Sequence, residues 1–351
     1  MTSSGPKPDH LERTAAEPRD KALNTLVLSH VEEVNDTIRI FRLSIPQGSP
    51  PIRFLPGQWL DVYVPGVETA GGFTITSTPR EARLPHPPPA PPTSTSTSTP
   101  AKSSGGGQDG GNEHGPYLEL AVQRSPENPP AAWLWSDPPA SVLGARLLAR
   151  VGGSFVWPPP GINVRGLRRV VFVAGGVGVN PLIAMLGSLA STGGGDYEVH
   201  FLYSLRSPPE KNEPGTPRRD ARRMLFLEKI AGIFREKRVK GRLQVFLTRG
   251  GSSSSSSPAA IAAAAEAAGE EEEGAEEDKM ITCAGGDLPF HARRCNADDV
   301  AEVLSTPAER RFAVVYICGV PTMTDELVAR LTDRESGFGM EPHRVLCERW
   351  W

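Results

Sequence analysis

The spacing of apolar residues divides the chain into two regions. In the first, from about residue 22 to residue 160, short segments alternate apolar and polar positions. In WLDVYVP, for example, Leu60, Val62 and Val64 share one face. This period is typical of antiparallel strands that bury one face, and a small antiparallel barrel is the natural closure of about six of them. The predicted strands are 23–31, 37–45, 59–65, 72–76, 117–124 and 145–151.

The second region, from about residue 166 to residue 351, alternates continuous apolar runs with helical patterns. The run VVFVA within 168–174 has the character of a strand that is buried on both faces. Strands that alternate with helices predict a doubly wound parallel sheet. The predicted strands are 168–174, 197–204, 242–248, 311–318 and 344–350, and the predicted helices are 181–190, 219–235, 296–304 and 321–333.

Glycine and proline are too frequent for the whole chain to be packed. The chain has 36 glycines and 35 prolines among 351 residues, about a fifth of the chain where about 12% is usual. Low-complexity stretches carry much of this excess, and we expect them to be disordered inserts at 82–115, 207–219 and 250–279. With a disordered N-terminus over 1–21, this leaves a barrel domain over 22–160 and an α/β domain over 166–351.

Charge and cysteine usage exclude several classes of protein. A net charge of -3 argues against binding to nucleic acid or to an anionic membrane. There is no apolar run of about 18 residues, so we expect no transmembrane segment. The four cysteines form no CxxC pair, which argues against zinc, iron–sulfur clusters and a disulfide scaffold. We therefore expect an intracellular protein; the early residues leave a mitochondrial or a cytoplasmic location undecided.

The first candidate motif is FVAGGVGVNP at 172–181. A buried strand ends in Gly175, Gly176, Val177 and Gly178, and a helix follows with Asn180 as its predicted cap and Pro181 in its first turn. Glycines allow backbone amides to approach a ligand, and a helix N-terminus favours phosphate. Because Pro181 takes the last glycine place of GxGxxG, the motif is compatible with either a nucleotide site or a plain tight turn.

Two further stretches could carry chemistry. In YICGVPTMTDEL at 316–327 a buried strand ends in Cys318 and Gly319, which we expect at the same carboxyl edge of the sheet as the first motif. Cys318 could act at that edge or be a small buried hydrophobe. In GGFTITSTPR at 71–80, hydroxyls beside Phe73 could bind a planar heterocycle or form the polar face of an exposed strand. These hydroxyls belong to Thr74, Thr76, Ser77 and Thr78.

Together with PGQW at 56–59 and ERWW at 348–351, these motifs resemble the ferredoxin–NADP reductase-type flavoprotein superfamily. The resemblance covers nearly all of 22–351 outside the inserts. Within the superfamily the chain is most similar to the oxidoreductase NAD-binding domain-containing proteins, which also share the DHLERTA stretch at 9–15. The resemblance implies a six-stranded flavin-binding barrel followed by an NAD(P)-binding α/β domain. Hydride would pass from NADH or NADPH to FAD or FMN, and electrons would leave to an unidentified acceptor, which could be a separate redox protein.

The resemblance also implies roles for individual residues. Thr74, Cys318 and Glu348 would be catalytic. Phe73 would pack on the isoalloxazine, next to Thr74, Ile75 and Thr76. Trp350 would cover the flavin face until nicotinamide displaces it, with Trp351 as an extra residue, or the two tryptophans could be a hydrophobic plug on the sheet edge. The nicotinamide nucleotide would lie against Gly175, Gly176, Val177, Gly178, Asn180, Pro181 and Gly319. Arg249 or Arg206 could bind the extra phosphate of NADPH or be solvated, so the choice of nucleotide stays open.

The chain departs from this family at the positions that usually bind the flavin phosphates. Gly71 stands where relatives that hold flavin tightly carry an Arg, and Ala131 stands where the second phosphate loop has Ser or Thr. Charge-assisted contacts are strong, so their loss should weaken flavin binding. Arg80 or Arg124 could substitute. The alternative is a catalytically weakened nicotinamide-nucleotide-binding module that acts through partners.

Overall fold

The computed structural model describes residues 9–86, 115–208, 219–248 and 279–349. The predictions for Arg249, Trp350 and Trp351 lie outside these residues, as does most of each predicted insert. Within the described residues, no helix is both long enough and apolar enough to cross a membrane.

The first region forms the predicted six-stranded antiparallel sheet, in the order β4-β3-β6-β1-β2-β5. The two edges of the sheet meet where Ile75, just after β4, pairs with Leu120 of β5, so the sheet closes into a barrel. The strands are β1 Asn24–Asn35, β2 Ile38–Ser44, β3 Trp59–Tyr63, β4 Gly71–Thr74, β5 Tyr117–Gln123 and β6 Arg146–Gly152. Two short helices accompany them, α1 His10–Arg13 and α2 Pro129–Leu134.

The second region forms a seven-stranded sheet in the order β10-β11-β9-β8-β7-β12-β13. All pairs are parallel except β10 with β11, which confirms the predicted α/β architecture. The strands are β7 Arg169–Gly175, β8 Glu198–Arg206, β9 Gly241–Thr248, β10 Met280–Ile281, β11 Leu288–His291, β12 Ala313–Cys318 and β13 Val345–Glu348. The helices are α3 Val179–Ser191, α4 Leu227–Arg235, α5 Ala297–Leu304, α6 Pro307–Arg310 and α7 Pro321–Thr332.

The prediction of a disordered N-terminus over 1–21 is wrong for the described residues of that stretch. Asp9 and Glu12 form a capping box around α1. Arg19 then pairs with Gly152 at the end of β6. This stretch is held by a buried carboxylate: Asp61, fully buried, lies 2.8 Å from His10 Nε2 and 3.0 Å from Arg19 Nε. Such a pairing across more than forty residues has no local signal.

Two predicted element boundaries also change. The single helix predicted over 219–235 is a 3-10 turn at Ala221–Arg223 followed by α4, because Phe226 adopts a left-handed backbone conformation with φ 58° between them. The predicted insert at 82–115 starts later, since Ala82 is buried in a 3-10 turn. The short strands β10 and β11 were not predicted.

The barrel and the α/β region share a core. Tyr316 of β12 donates a hydrogen bond of 2.8 Å to the carbonyl of Val156, and its ring packs edge-on against Phe155. Asn180 in the first turn of α3 donates to the carbonyl of Ala121 on β5 at 2.9 Å. The seam between the regions is therefore fixed where the barrel meets the carboxyl edge of the parallel sheet.

Candidate functional site

Two glycine-bearing loops pack against each other at this carboxyl edge, as their positions after neighbouring strands predicted. Cys318 at the end of β12 pairs with Ala174 of β7. A Cβ placed on Gly178 would lie 2.7 Å from the amide nitrogen of Gly319 and closer still to the carbonyl of Cys318. A Cβ on Gly175 would lie 3.2 Å from the Cα of Gly319. Gly175, Gly178 and Gly319 are thus required by the contact between the loops.

Gly176 differs from these glycines. It is exposed, has φ +55°, and nothing lies within 4 Å of the position of a Cβ. Together with the half-buried Val177 it presents open backbone at the start of α3. Backbone of this kind at the beginning of a helix can bind an anionic group. In this respect the geometry is compatible with a nucleotide.

The predicted capping role of Asn180 is wrong. The N-cap of α3 is Gly178, and Asn180 lies inside the first turn with Pro181 beside it. Its amide nitrogen binds the barrel, as described above, while its Oδ1 is buried without a hydrogen bond to another described residue. A tertiary contact across 59 residues has therefore replaced the local cap.

Cys318 and Glu348 come together as neighbours in register on β12 and β13. Cys318 is buried, at 1% exposure. Burial, followed by the nearby charge of Glu17, raises the pKa of Glu348 to about 8. The carboxyl group of Glu348 makes no hydrogen bond or ion pair with another described residue. This shift favours the protonated form of Glu348, which can donate a hydrogen bond.

Among the hydroxyl groups of residues 74–77, some make hydrogen bonds within the protein and one does not. Thr76 donates to the carboxylate of Glu119 at 3.2 Å, and Ser77 accepts from the Glu119 amide at 3.0 Å. Thr74 is buried opposite Trp59, and its hydroxyl makes no hydrogen bond with another described residue. Ile75 pairs with β5 next to the strand position that binds Asn180, so this strand lies against the seam.

Phe73 lies in the core of the barrel rather than on an open surface. Its side chain is 8% exposed and packs with Leu60 and other interior residues. Its ring also covers Gly71, since a Cβ on Gly71 would lie 2.5 Å from Cε2 of Phe73. The same Cβ would lie 2.8 Å from Cβ of Pro130. The predicted stacking of Phe73 on a flavin stays a prediction.

The residues at the expected flavin-phosphate position do not fit a phosphate. Helix α2 begins with Pro129 and Pro130, which have no amide proton to donate. The next two amides, of Ala131 and Ala132, bond to the side chain and the carbonyl of Asn128 at 3.3 and 2.8 Å. The two expected substitutes differ in position, and Arg124 contacts the residue that ends α2. Arg124 lies over Trp135, at 5.9 Å from the ring centroid, and Arg80 lines a groove between the barrel and α4.

The amino-acid sequence is similar to curated proteins along almost its whole length. No protein-family model matches the chain. Oxidoreductase NAD-binding domain-containing protein 1 from Bos taurus is 25% identical over 353 residues, covering 98% of this chain and 86% of that protein. The protein of the same name from Danio rerio is 25% identical over 344 residues, covering 98% of this chain and 97% of that protein. This chain is thus similar to those proteins along almost its whole length.

Solved structures show the same architecture. Amycolatopsis cytochrome P450 reductase GcoB superposes with a TM-score of 0.56 at 19% identity, covering 93% of this chain and 70% of that one. A ferredoxin NADP+ reductase from Neisseria gonorrhoeae with bound FAD and NADP gives a TM-score of 0.52 at 11% identity, covering 94% and 99%. The chain has the ferredoxin–NADP reductase-like fold. The resemblance stated from the motifs is confirmed.

In this chain the predicted site residues fall into two groups. The two glycine loops and Cys318, which were expected around nicotinamide, lie together at one edge with Glu348, which was expected to be catalytic. At the positions expected around the flavin phosphates stand Gly71, beside which Phe73 and Pro130 leave no room for a side chain, and the two prolines that begin α2. Sequence reasoning missed Glu17, whose carboxylate accepts from Ser154 at 2.7 Å and whose charge acts on Glu348. The DHLERTA resemblance next to it was the available signal.

Proposed function

We propose that this chain is a flavin-dependent NAD(P)H oxidoreductase, which takes hydride from NADH or NADPH and passes electrons to an acceptor that is still to be identified. The observation that carries the proposal is the carboxyl-edge cluster, in which buried Cys318 is the register neighbour of Glu348 and the loop with the open backbone of Gly176 packs against the end of β12. Two further facts support it. A relative that matches 98% of this chain is named oxidoreductase NAD-binding domain-containing protein 1, and a ferredoxin NADP+ reductase of the same fold was solved with FAD and NADP.

Each residue of the cluster has a physical role in this proposal. The Gly176–Val177 backbone would bind the nucleotide, and Gly319 would let the nicotinamide lie close to Cys318. Glu348, as a neutral acid, would donate a hydrogen bond to a carbonyl or ring atom of the substrate. Thr74 would offer its uncommitted hydroxyl from the barrel side. A flavin bound in the seam would supply the hydride acceptor, while the surrounding buried residues exclude water.

The proposal is tested by following the oxidation of NADH and of NADPH by the purified protein, with FAD or FMN and an artificial electron acceptor. We expect turnover with at least one nucleotide. Cys318→Ala should lower the hydride-transfer rate by about tenfold or more with little change in nucleotide affinity, because a misplaced nicotinamide reacts slowly. Cys295→Ala is the matched control, since Cys295 is also buried but packs against α5. Equal rates for both variants would remove Cys318 from the reaction.

A second candidate function rests on the filled phosphate position beside Gly71. The chain would then be a nicotinamide-nucleotide-binding module whose catalysis is weakened and which acts through partners. Calorimetry separates the two proposals. The module predicts NADH or NADPH binding without turnover in the presence of any flavin, whereas the oxidoreductase predicts binding together with turnover.

The preference between NADH and NADPH is a separate proposal. Thr248 at the end of β9 donates weakly to the carbonyl of Leu205 at 3.5 Å, and Arg206 at the end of β8 is exposed. Both could bind the extra phosphate of NADPH. Arg206→Ala should then raise the KM for NADPH and leave the KM for NADH unchanged. An equal effect on both nucleotides would argue against a phosphate contact.

A further inference from the structure

We propose that the acidic segment of this chain, residues 266–278, docks in a basic groove between the barrel and α4. The inference is independent of the proposed function, because the groove shares no residue with the carboxyl-edge cluster. The groove consists of described residues only, and the acidic segment is identified as its occupant by its charge and by its point of attachment to the chain.

The basic groove has a volume of about 900 Å³ and lies where the barrel meets the helices of the α/β region. Four parts of the chain form its walls. They are residues between 78 and 84 of the barrel, Gly187 and Ser191 of α3, residues between 228 and 238 in and after α4, and Ala284 with Gly285 after β10. A ligand in this groove therefore contacts the barrel and the α/β region at once.

Positive charge lines the groove from both sides. Arg80 of the barrel and Lys229 and Arg235 of α4 are exposed, and none of the three forms an ion pair with another described residue. A fourth cation, Arg238, lies 3.7 Å from Glu236. Guanidinium and ammonium groups without a carboxylate partner bind carboxylates through charge-assisted hydrogen bonds. The groove therefore fits an acidic ligand.

Two carboxylates of the groove are held by other groups. Glu81 accepts from the backbone amide of Thr78 at 2.6 Å and from the hydroxyl of Tyr117 at 2.9 Å. One oxygen of Glu228 accepts from the amide of Ala284 at 2.9 Å, and its other oxygen is buried. Neither carboxylate forms an ion pair with another described residue. The three unpaired cations thus stay available to carboxylates from outside the groove.

The acidic segment carries the complementary charge. Residues 266–278 contain eight carboxylates and no lysine or arginine. The net charge of the chain is -3, so all the other residues together carry +5. Opposite charges at a protein surface attract each other over about 10 Å at 0.1 M salt. The separation of charge along the chain therefore favours contact between the acidic segment and a basic surface of the same molecule.

The point of attachment selects the basic groove. The acidic segment ends at Asp278, and the chain reaches the groove wall at Ala284, six residues later. Six residues span at most about 22 Å. A tether of this length keeps an attached ligand at an effective concentration of about 1 mM. A separate acidic partner at micromolar concentration would have to displace the acidic segment from the groove.

The first test is carbodiimide coupling of the full-length protein, which joins a lysine amine to a carboxylate in contact with it. Protease digestion and mass spectrometry then identify the coupled residues. We expect coupling between Lys229 and carboxylates of the acidic segment. Lys21 is the internal control, because it is exposed on the barrel outside the groove. Coupling of the acidic segment to Lys21 as often as to Lys229 would overturn the proposal.

The second test measures the Kd of a fluorescent peptide of residues 264–279 for full-length proteins. In one variant all eight carboxylates of the acidic segment are replaced by the corresponding amides. A peptide that binds this amide variant with a Kd of about 100 µM should bind the wild type about tenfold more weakly, because the tethered segment competes at about 1 mM. Equal affinity for the two proteins would overturn the proposal and leave the groove open to a separate acidic partner.

The groove is tested by charge removal in the amide variant. Arg80→Gln with Lys229→Gln should weaken peptide binding about fivefold. The matched control is Arg53→Gln with Arg165→Gln, which removes two exposed charges outside the groove, one from each region. An equal effect of the two pairs would overturn the assignment to the groove. None of these results bears on the oxidoreductase, because no outcome depends on turnover.

Discussion

Gly178→Ala is the substitution whose effect follows most directly from the geometry. Gly178 has φ −62°, an ordinary value for any residue, so alanine costs nothing in backbone conformation. Its Cβ, however, would lie 2.7 Å from the Gly319 nitrogen, where carbon contacts normally need about 3.5 Å. The neighbour is backbone at the end of β12, held in the sheet on both sides, so it cannot rotate away.

The expected loss is at the upper end of the overpacking range, about 3 kcal/mol in the free energy of unfolding. Two other glycines serve as controls. Gly176→Ala has open space but φ +55°, so only backbone strain of about 1–2 kcal/mol applies. Gly232→Ala lies inside α4 with Glu236 Oε1 at 3.8 Å, and it should stabilise the protein by up to about 1 kcal/mol because alanine favours helix.

The assay is urea unfolding of the four proteins followed by fluorescence. The urea concentration at the unfolding midpoint should decrease in the order Gly232→Ala, wild type, Gly176→Ala and Gly178→Ala. The dependence of the unfolding free energy on urea concentration should be the same for all four proteins. A Gly178→Ala variant that unfolds at the wild-type midpoint would refute the packed contact between the two loops. It would equally remove the reason for placing Cys318 and the first glycine motif in one site.

Two further predictions concern carboxyl groups with shifted pKa values, the half-buried Glu348 and the buried Asp61. Because the pKa of Glu348 is raised from an ordinary 4.5 to about 8, the wild type should lose stability relative to Glu348→Gln as pH rises through that window. The loss in the free energy of unfolding should be about 2 kcal/mol after allowing for the partial exposure of Glu348. If the unfolding midpoints of wild type and Glu348→Gln changed with pH in the same way, the raised pKa would be contradicted. Burial opposes the ionisation of Asp61, but hydrogen bonds from His10 and Arg150 outweigh burial and lower its pKa. The contribution of Asp61 to the free energy of unfolding is therefore present above pH 3.8 and lost as pH falls through the lowered pKa. Asp61→Asn should therefore cost about 3 kcal/mol at pH 7; the control is the exposed Asp20→Asn, and equal midpoints for the two variants would argue against the buried cluster.

The sequence alone determined the two-part architecture and the meeting of the two glycine loops at the carboxyl edge of the parallel sheet. Period-two alternation and continuous apolar runs follow directly from which faces of a strand are buried, so the barrel and the parallel sheet could be predicted. Cys318 and the glycine motif follow β12 and β7, and parallel strands end at one edge, so their meeting could be predicted as well.

Only the tertiary structure decided which distant residues contact each other where the barrel meets the parallel sheet. The local pattern made Asn180 a cap, but the carbonyl of Ala121 in the barrel is a partner that no local window contains. The ring of Phe73 covers Gly71, and His10 lies over Gly72 and binds Asp61, because glycine leaves space that distant side chains fill. Likewise the raised pKa of Glu348 depends on its burial and on the charge of Glu17, far away in the sequence. Residue types and periodicity are local properties of the chain, whereas desolvation, close packing and long-range pairing exist only once the segments are brought together.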